Sequence, residues 1–337
     1  MGLTGDSTEH LKNLRQRLLA RYPTIGLLRV FARDVLGASA LELPDGTASP
    51  VEYSDSLVRI AQAQNLLHSI EECLRLAVSS DVAILCPLPL ELNAVLRHLG
   101  PATSVTDGSN TFHLGKWTTS SGKQIAIATS CPSDYGNLAA QAFASRIVRK
   151  FNPTYLCVVG VCGGIATRKQ PVAKGDLLVP SKVLYYELAK DRVPYTFVDK
   201  LYDTSPSLIQ RMKALEAGDR LNGFRRRVVV QHPSRNPIPQ LRRHLGCTVA
   251  SGEKVLDNHS SRLMTHLRNS QFRVLGIEME SAGVAGHLAY CPTEEGRAQL
   301  LIIRCVSDLA DGTKDKRWQP YCADVAAAYL FEFLDMV

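Results

Sequence analysis

Acidic side chains that close short apolar runs are the residues whose type and spacing admit chemistry. Asp308 ends the stretch Arg304-Cys305-Val306-Ser307-Asp308 just after Leu300-Leu301-Ile302-Ile303, and Glu278 and Glu280 follow Phe272-Arg273-Val274-Leu275-Gly276-Ile277. Apolar runs of this length read as buried parallel strands. Acids just beyond them stand at strand carboxyl ends, the edge of an open α/β sheet where ligands bind. A fourth acid, Glu91, falls in the first turns of a helical pattern that Pro87 and Pro89 introduce after the strand-like Asp81-Val82-Ala83-Ile84-Leu85-Cys86, and so faces the same edge. Carboxylates gathered in one crevice can divide proton transfers between an acid and a base. Acids in such places also serve as helix N-caps or as partners of the helix dipole, and residue type alone leaves that alternative open.

The elements needed to position these acids are legible. Segments 124–128, 155–159 and 176–180 read as further strands, 137–148 as a helix between the first two, and 281–289 as a helix of small residues directly after Glu280. This alternation predicts a three-layer α/β domain with a mixed central sheet over residues 80–337. Gly160-Val161-Cys162-Gly163-Gly164-Ile165 reads as a glycine-rich turn where backbone can approach a ligand, although tight turns explain most such clusters. Upstream, Leu11, Leu14, Leu18 and Leu19, then Leu27, Leu28, Phe31 and Val35, then Tyr53, Leu57, Ile60, Ala61, Leu67, Ile70 and Leu74 recur at helical spacing. Pro23, Gly37 and Pro44-Asp45-Gly46 punctuate them. Residues 1–79 are therefore expected to form a small all-α bundle without a cluster of acids or nucleophiles. Residues 190–245 carry Arg225-Arg226-Arg227 and Arg242-Arg243 without clear periodicity, and some of those arginines are expected on the solvated surface.

Composition narrows the class. A chain of 337 residues at 45% hydrophobic content can bury one large core and a small second domain. No apolar run is long enough to cross a bilayer and no signal-peptide pattern occurs, so a cytoplasmic location away from membranes is expected. The nine cysteines lack metal-like spacing, and Cys86, Cys157, Cys162 and Cys305 read as buried free thiols. A net charge of +7 is modest for this length, and no aromatic-interleaved basic stripe accompanies it. A small anionic molecule explains it better than nucleic acid.

Glu278-Met279-Glu280 followed downstream by Val306-Ser307-Asp308 resembles the signature pair of the purine nucleoside phosphorylase and methylthioadenosine/adenosylhomocysteine nucleosidase superfamily. The run from Asp311 to Tyr329 further resembles nucleosidase-type domains fused to NLR-like and other immune proteins, a branch that includes ATP nucleosidases. The resemblance implies that Asp308 gives a proton to the leaving purine and that Glu91 takes one from the attacking water. It implies that Glu280 grips the ribose 2′- and 3′-hydroxyls within the Glu278-Met279-Glu280 segment, that Met279 packs on the sugar, and that Ser307 orients Asp308. Gly163 and Gly164 fall beside the ribose. Val255 and Leu256 fall in the base-binding segment, with Val255 where an aromatic commonly stacks on the purine. No metal or organic cofactor is implied. The positions at which hexameric phosphorylases hold phosphate read Val158, Val161 and Cys86-Pro87-Leu88-Pro89-Leu90, without a cation. Phosphate buried there would lack donors, so water is the expected nucleophile, a phosphate-binding arginine supplied from elsewhere in the chain being the alternative.

Substrate choice turns on the 5′ end of the ribose. Lys314, Lys316 and Arg317 lie close to Asp308 in sequence and are expected to clamp a 5′-phosphate, their alternative being an ordinary solvated loop. The expected function is hydrolysis of the base–ribose bond of ATP or a related purine nucleotide by a defence effector, acting as a homo-oligomer. In residues 1–79 the run Leu14-Arg15-Gln16-Arg17-Leu18-Leu19-Ala20-Arg21-Tyr22-Pro23 resembles effector-associated death-like adaptor domains, which implies an adaptor or sensor protein as partner; an ordinary helical extension is the alternative. Two other functions stay open. One is cleavage of methylthioadenosine or adenosylhomocysteine, or nucleoside phosphorolysis, on the same fold. The other is a nucleotide-sensing module with little turnover, against which the combination of Glu91, Glu280 and Asp308 argues, because binding alone needs no acid–base pair.

Overall fold

The computed structural model describes residues 4–22, 24–37, 40, 43–44, 47–67, 69–70, 80–108, 110–167, 171–193, 195–234, 241–290 and 298–336. Two compact units emerge, one within residues 1–79 and one beginning at Ser80. In the first, α1 (Thr4–Arg21), α2 (Ile25–Leu36) and α3 (Pro50–Ala63) bury Leu14, Leu18, Leu28, Phe31, Leu36, Tyr53 and Leu57 in one cluster. Helix α3 starts for a local reason. The Glu52 N–H donates to the Ser49 hydroxyl at 3.3 Å and the Ser49 N–H donates back to the Glu52 carboxylate at 2.7 Å, a reciprocal cap with Pro50 at the first helical position. Pro23, the Asp45-Gly46 turn, the side chain of Leu27 and the continuation to Leu74 lie outside the described residues.

The second unit is built on a ten-stranded mixed sheet. Its strands are β1 (Val82–Leu85), β2 (Ala102–Asp107), β3 (Asn110–Thr118), β4 (Gln124–Ser130), β5 (Tyr155–Gly164) and β6 (Leu177–Tyr185). After a short pair, β7 (Ala189–Lys190) and β8 (Thr196–Phe197), come β9 (Lys200–Asp203), β10 (Arg243–Ser251), β11 (Val274–Glu278) and β12 (Gln299–Asp308). The order is β11-β10-β6-β12-β5-β1-β4-β3-β2, with β9 beside β6. Strands β1, β5 and β12 are mutually parallel in the middle. Both of their faces are covered, which is why they read as continuous apolar runs. Residues alternate between two cores as strand geometry requires: Ile84, Val159, Leu301 and Ile303 face one, while Leu85, Val158, Leu300 and Ile302 face the other.

Helices α4 (Pro89–Leu99) and α10 (Trp318–Leu334) fill the first core, and α5 (Asn137–Phe151) and α9 (Ser281–Tyr290) the second. Helix α6 (Pro206–Ala217), the single turn α7 (Phe224–Arg227) and α8 (Arg262–Asn269) complete the unit. This is the three-layer mixed α/β architecture expected for residues 80–337. Among the described residues no helix is long and apolar enough to cross a membrane.

One expectation changes. The glycine stretch is not a turn, because β5 continues straight through Gly164. There β11 folds back antiparallel, pairing Gly276 with Gly164 and Ile277 with Gly163, and this contact closes β5, β12, β6, β10 and β11 on themselves. Of the arginines of 190–245, some are solvated surface and others are paired. Arg227 pairs with Glu332 at 2.6 Å and with Asp335, and Arg243 pairs with Glu216 at 2.9 Å, tying α7 and β10 to α10 and α6. Arg225 and Arg226 remain exposed.

Candidate active site

The carboxyl ends of β1, β5, β10, β11 and β12 converge on a cavity of about 350 Å³. Its wall brings together Glu91, Gly163, Val255, Leu256, Glu278, Met279, Glu280, Ser307, Asp308 and Lys314. Tyr135, Lys254 and Arg304 line it too and were not singled out from the sequence.

Glu91 enters from the first turn of α4, where Pro89 opens the helix. Its carboxylate accepts the Leu88 N–H and the Val161 N–H, both at 2.7 Å. The first bond is half of a helix cap, so the capping role and a place in the cavity coexist in one side chain. A methyl group on Gly160 would overlap this carboxyl group. The glycine is thus needed for close approach between α4 and β5 and not for a turn. Burial pushes the Glu91 pKa up to about 7, against the pull of Arg304 and the two amides.

Asp308 stands at the last position of β12, where its two oxygens accept the Ala310 N–H at 3.0 Å and the Ser307 hydroxyl at 3.2 Å. Ser307 also reaches the Cys162 carbonyl at 3.4 Å, which fixes it between β12 and β5. Gly163 leaves room for Asp308, since a Cβ there would lie 3.2 Å from the carboxylate.

Between these two acids lies a buried ionic cluster. Arg304 is 1% exposed and its guanidinium pairs with Glu278 and, at 3.2 Å, with Glu280; it also donates to the Val161 carbonyl at 3.4 Å. Burial works against the charged guanidinium, and Glu278, Glu280 and Glu91 outweigh it, so its pKa shifts upward. Glu280 is raised by burial and then by Glu278, with Arg304 opposing. The Glu278 carboxylate is spent on its surroundings, accepting the N–H groups of Glu280 (3.2 Å) and Ser281 (3.0 Å) and the Ser281 hydroxyl (2.8 Å) in addition to Arg304. It therefore caps α9 and anchors Arg304, which leaves Glu280 as the freer carboxylate of the segment.

Several sequence-selected residues fall elsewhere. Gly164, Lys316 and Arg317 are not on the cavity wall. A Cβ on Gly164 would meet Val306 at 2.8 Å, so that glycine serves strand packing. Arg317 donates to Asp315 from Nη2 at 2.8 Å and from Nε at 3.0 Å on the exposed loop before α10, and Lys316 is exposed. The expected three-cation clamp thus reduces to Lys314. Across the cavity, Lys254 pairs with Glu187. Val255 is 64% exposed, and Tyr135, at 71%, supplies an aromatic ring on the same wall. The positions matched to the phosphorylase phosphate site carry no cation, but an arginine reaches the wall from elsewhere, because Arg304 lines it. Its charge is already matched by Glu278 and Glu280, which offsets its attraction for phosphate, while its buried Nε has no hydrogen-bond partner.

An acid whose pKa is raised to neutrality, a second acid with fixed hydrogen-bond donors and an apolar-walled crevice are the parts needed for proton transfer at both ends of a breaking bond. Fold and site together define a class: the chain belongs to the Phosphorylase superfamily, whose family model matches residues 81–334. Among its relatives, the "Death domain-containing ATP nucleosidase" of Amphimedon queenslandica is 26% identical over 265 residues, covering 73% of this chain and 46% of that protein. The "ATP nucleosidase Cap17" of Escherichia coli (strain KTE188) is 22% identical over 284 residues, covering 81% of this chain and 52% of that one. The chain thus spans about half the length of these curated relatives. Of solved structures, a Helicobacter pylori 5'-methylthioadenosine/S-adenosyl homocysteine nucleosidase superposes with a TM-score of 0.58 at 19% identity, covering 77% of this chain and 100% of its own. A futalosine hydrolase of the same organism gives 0.56 at 20% identity, covering 78% and 100%. These likenesses establish the fold.

Proposed function

We propose that the larger unit is an N-glycosidase that hydrolyses the base–ribose bond of ATP or a closely related adenine nucleotide, releasing adenine and the ribose 5′-phosphate species. The observation that carries this reading is the pairing of Glu91, held near neutrality by burial, with Asp308 in the same cavity. Cleavage develops positive charge on the ribose and negative charge on the purine. Asp308 protonates the departing base at its imidazole-ring nitrogen while Glu91 takes a proton from water as that water attacks the anomeric carbon. Glu280 accepts the ribose hydroxyls and, with Glu91, faces the positive charge of the transition state. Met279 packs on the sugar, Ser307 holds Asp308, and Val255 and Leu256 border the base. Arg304 keeps the carboxylates apart in charge, so that they need not all protonate at once.

Water, and not phosphate, is the nucleophile in this reading, because the one arginine on the cavity wall is already paired. Base release at an unchanged rate when inorganic phosphate is added is the expected result. Strict phosphate dependence with ribose 1-phosphate as product would make the chain a phosphorylase.

Preference for a nucleotide over a methylthio nucleoside is supported by Lys314, an exposed wall residue, and by the two relatives named as ATP nucleosidases. A charge-assisted bond to phosphate is worth about 1.5–3 kcal/mol, so Lys314→Ala should lower kcat/KM for ATP by roughly 10- to 150-fold and leave residual cleavage of adenosine almost unchanged. Lys316→Ala and Arg317→Ala should change both substrates little. Equal losses on ATP and adenosine from Lys314→Ala would remove the phosphate contact and favour the nucleoside-cleaving alternative. Residues 1–79 are proposed as an adaptor module that recruits the catalytic unit to a sensor in a cytoplasmic, homo-oligomeric defence assembly. The compact helical core of that unit and the death domain named in one relative support this.

A further inference from the structure

Helix α5 begins at Gly136-Asn137, behind the ribose side of the cavity, and Asn137 is not on the cavity wall. Its side chain is nonetheless 95% buried, with 5% exposure, and fully directed. The Oδ1 atom accepts the Ser251 hydroxyl at 2.9 Å and the Gly283 N–H at 2.8 Å, while Nδ2 donates to the Gly252 carbonyl at 3.1 Å. Ser251 in turn accepts the Ala282 N–H at 3.1 Å. One amide thus joins the end of β10, the start of α5 and the first turn of α9. The Gly283 N–H that it grips also donates to the Glu280 carbonyl at 3.1 Å. Contact here is so close that a Cβ on Gly283 would collide with the Asn137 carbonyl.

We infer that Asn137 is a positioning residue that sets where the Glu280 carboxylate stands in the cavity, by holding the turn from Glu280 to Gly283 against β10. The physical reason lies in satisfaction of polar groups. Without the asparagine amide the buried Ser251 hydroxyl would lose its acceptor, and the Gly283 N–H would keep only its bond to the Glu280 carbonyl, so nothing would hold the turn against β10 at this point. A shift of about 1 Å at a substrate-gripping group is enough to cost on the order of 10²-fold in rate.

This inference rests on the reading of Glu280 as the ribose-binding carboxylate, and a double-mutant cycle on the full chain tests it. Asn137→Ala is expected to lower kcat/KM for base release from ATP by about 10²-fold. The same substitution in an E280Q background is expected to cost little further, because the contact it acts through is already gone. Equal losses in both backgrounds would mean that Asn137 acts on stability alone and would overturn the inference. If Asn137→Ala does not fold, Ser251→Ala removes a single bond of the network and runs the same cycle. Amide hydrogen exchange gives a readout free of activity: the Gly283 amide should exchange about tenfold faster in Asn137→Ala, the worth of one buried hydrogen bond. Unchanged exchange there overturns the inference whatever reaction the site performs. Wild-type chain that releases no base would instead overturn the functional reading, and the exchange measurement then decides the role of Asn137 by itself.

Discussion

Replacing Asp308 by asparagine is expected to lower kcat for base release by about 10²–10⁴-fold, the usual worth of a positioned proton donor. KM should move little. The amide is close in shape to the carboxyl group and keeps an oxygen for the Ala310 N–H, so ground-state contacts survive while the proton needed by the departing purine does not. An unchanged thermal transition would confirm that the loss is chemical. Steady-state rates on a poor and a good leaving group sharpen the test, because a base that departs without protonation should be cleaved by Asp308→Asn almost as fast as by wild type. Wild-type turnover of the ordinary substrate by this variant would place the acid elsewhere.

Glu91→Gln is expected to have an effect of the same order, about 10²–10⁴-fold in kcat/KM, for the opposite reason, loss of the group that accepts the proton from water. A pH profile separates the two carboxylates. A general base works only when deprotonated, and burial raises Glu91 from the ordinary 4.5 to about 7. The acid limb of the wild-type kcat/KM should therefore fall tenfold per pH unit once the pH drops below about 7. In Glu91→Gln that acid limb should vanish from the residual rate. A limb that persists unchanged in the variant would assign the titration to another group, with Glu280, also raised by burial, as the next to test.

The four acids Glu91, Glu278, Glu280 and Asp308 were legible because each follows an apolar run or a proline-marked helix start, a signal carried by contiguous sequence. Arg304 was harder to read. It lies inside the apolar run of β12 and looks like a strand residue, yet a charge in such a run must find partners, and Glu278 and Glu280 were the nearby acids at the same sheet edge. Tyr135 and Lys254 lie in loops without periodicity, where nothing local says which side chain turns towards a cavity. Gly160 and Gly163 were legible only as a place for backbone to approach a ligand, and Gly163 does line the cavity. They also admit Glu91 and Asp308, contacts formed across about 70 and 145 residues of chain that no local pattern reports. Arg317 shows the converse, since nearness to Asp308 in sequence did not bring it to the cavity. Asp315, two residues before it, holds its guanidinium instead. Arg227 and Arg243 have partners, Glu332, Asp335 and Glu216, that only the folded chain brings near.

The central claim is that this cavity uses water to sever the base from an adenine nucleotide. Incubation of the purified chain with ATP in phosphate-free buffer, followed by chromatography and mass spectrometry of the products, tests it most directly. Stoichiometric adenine and ribose 5′-triphosphate, with one oxygen of labelled water at the anomeric carbon of the sugar, is the predicted result. ATP recovered intact while methylthioadenosine or adenosylhomocysteine is cleaved, or no free base from any purine substrate, would contradict it.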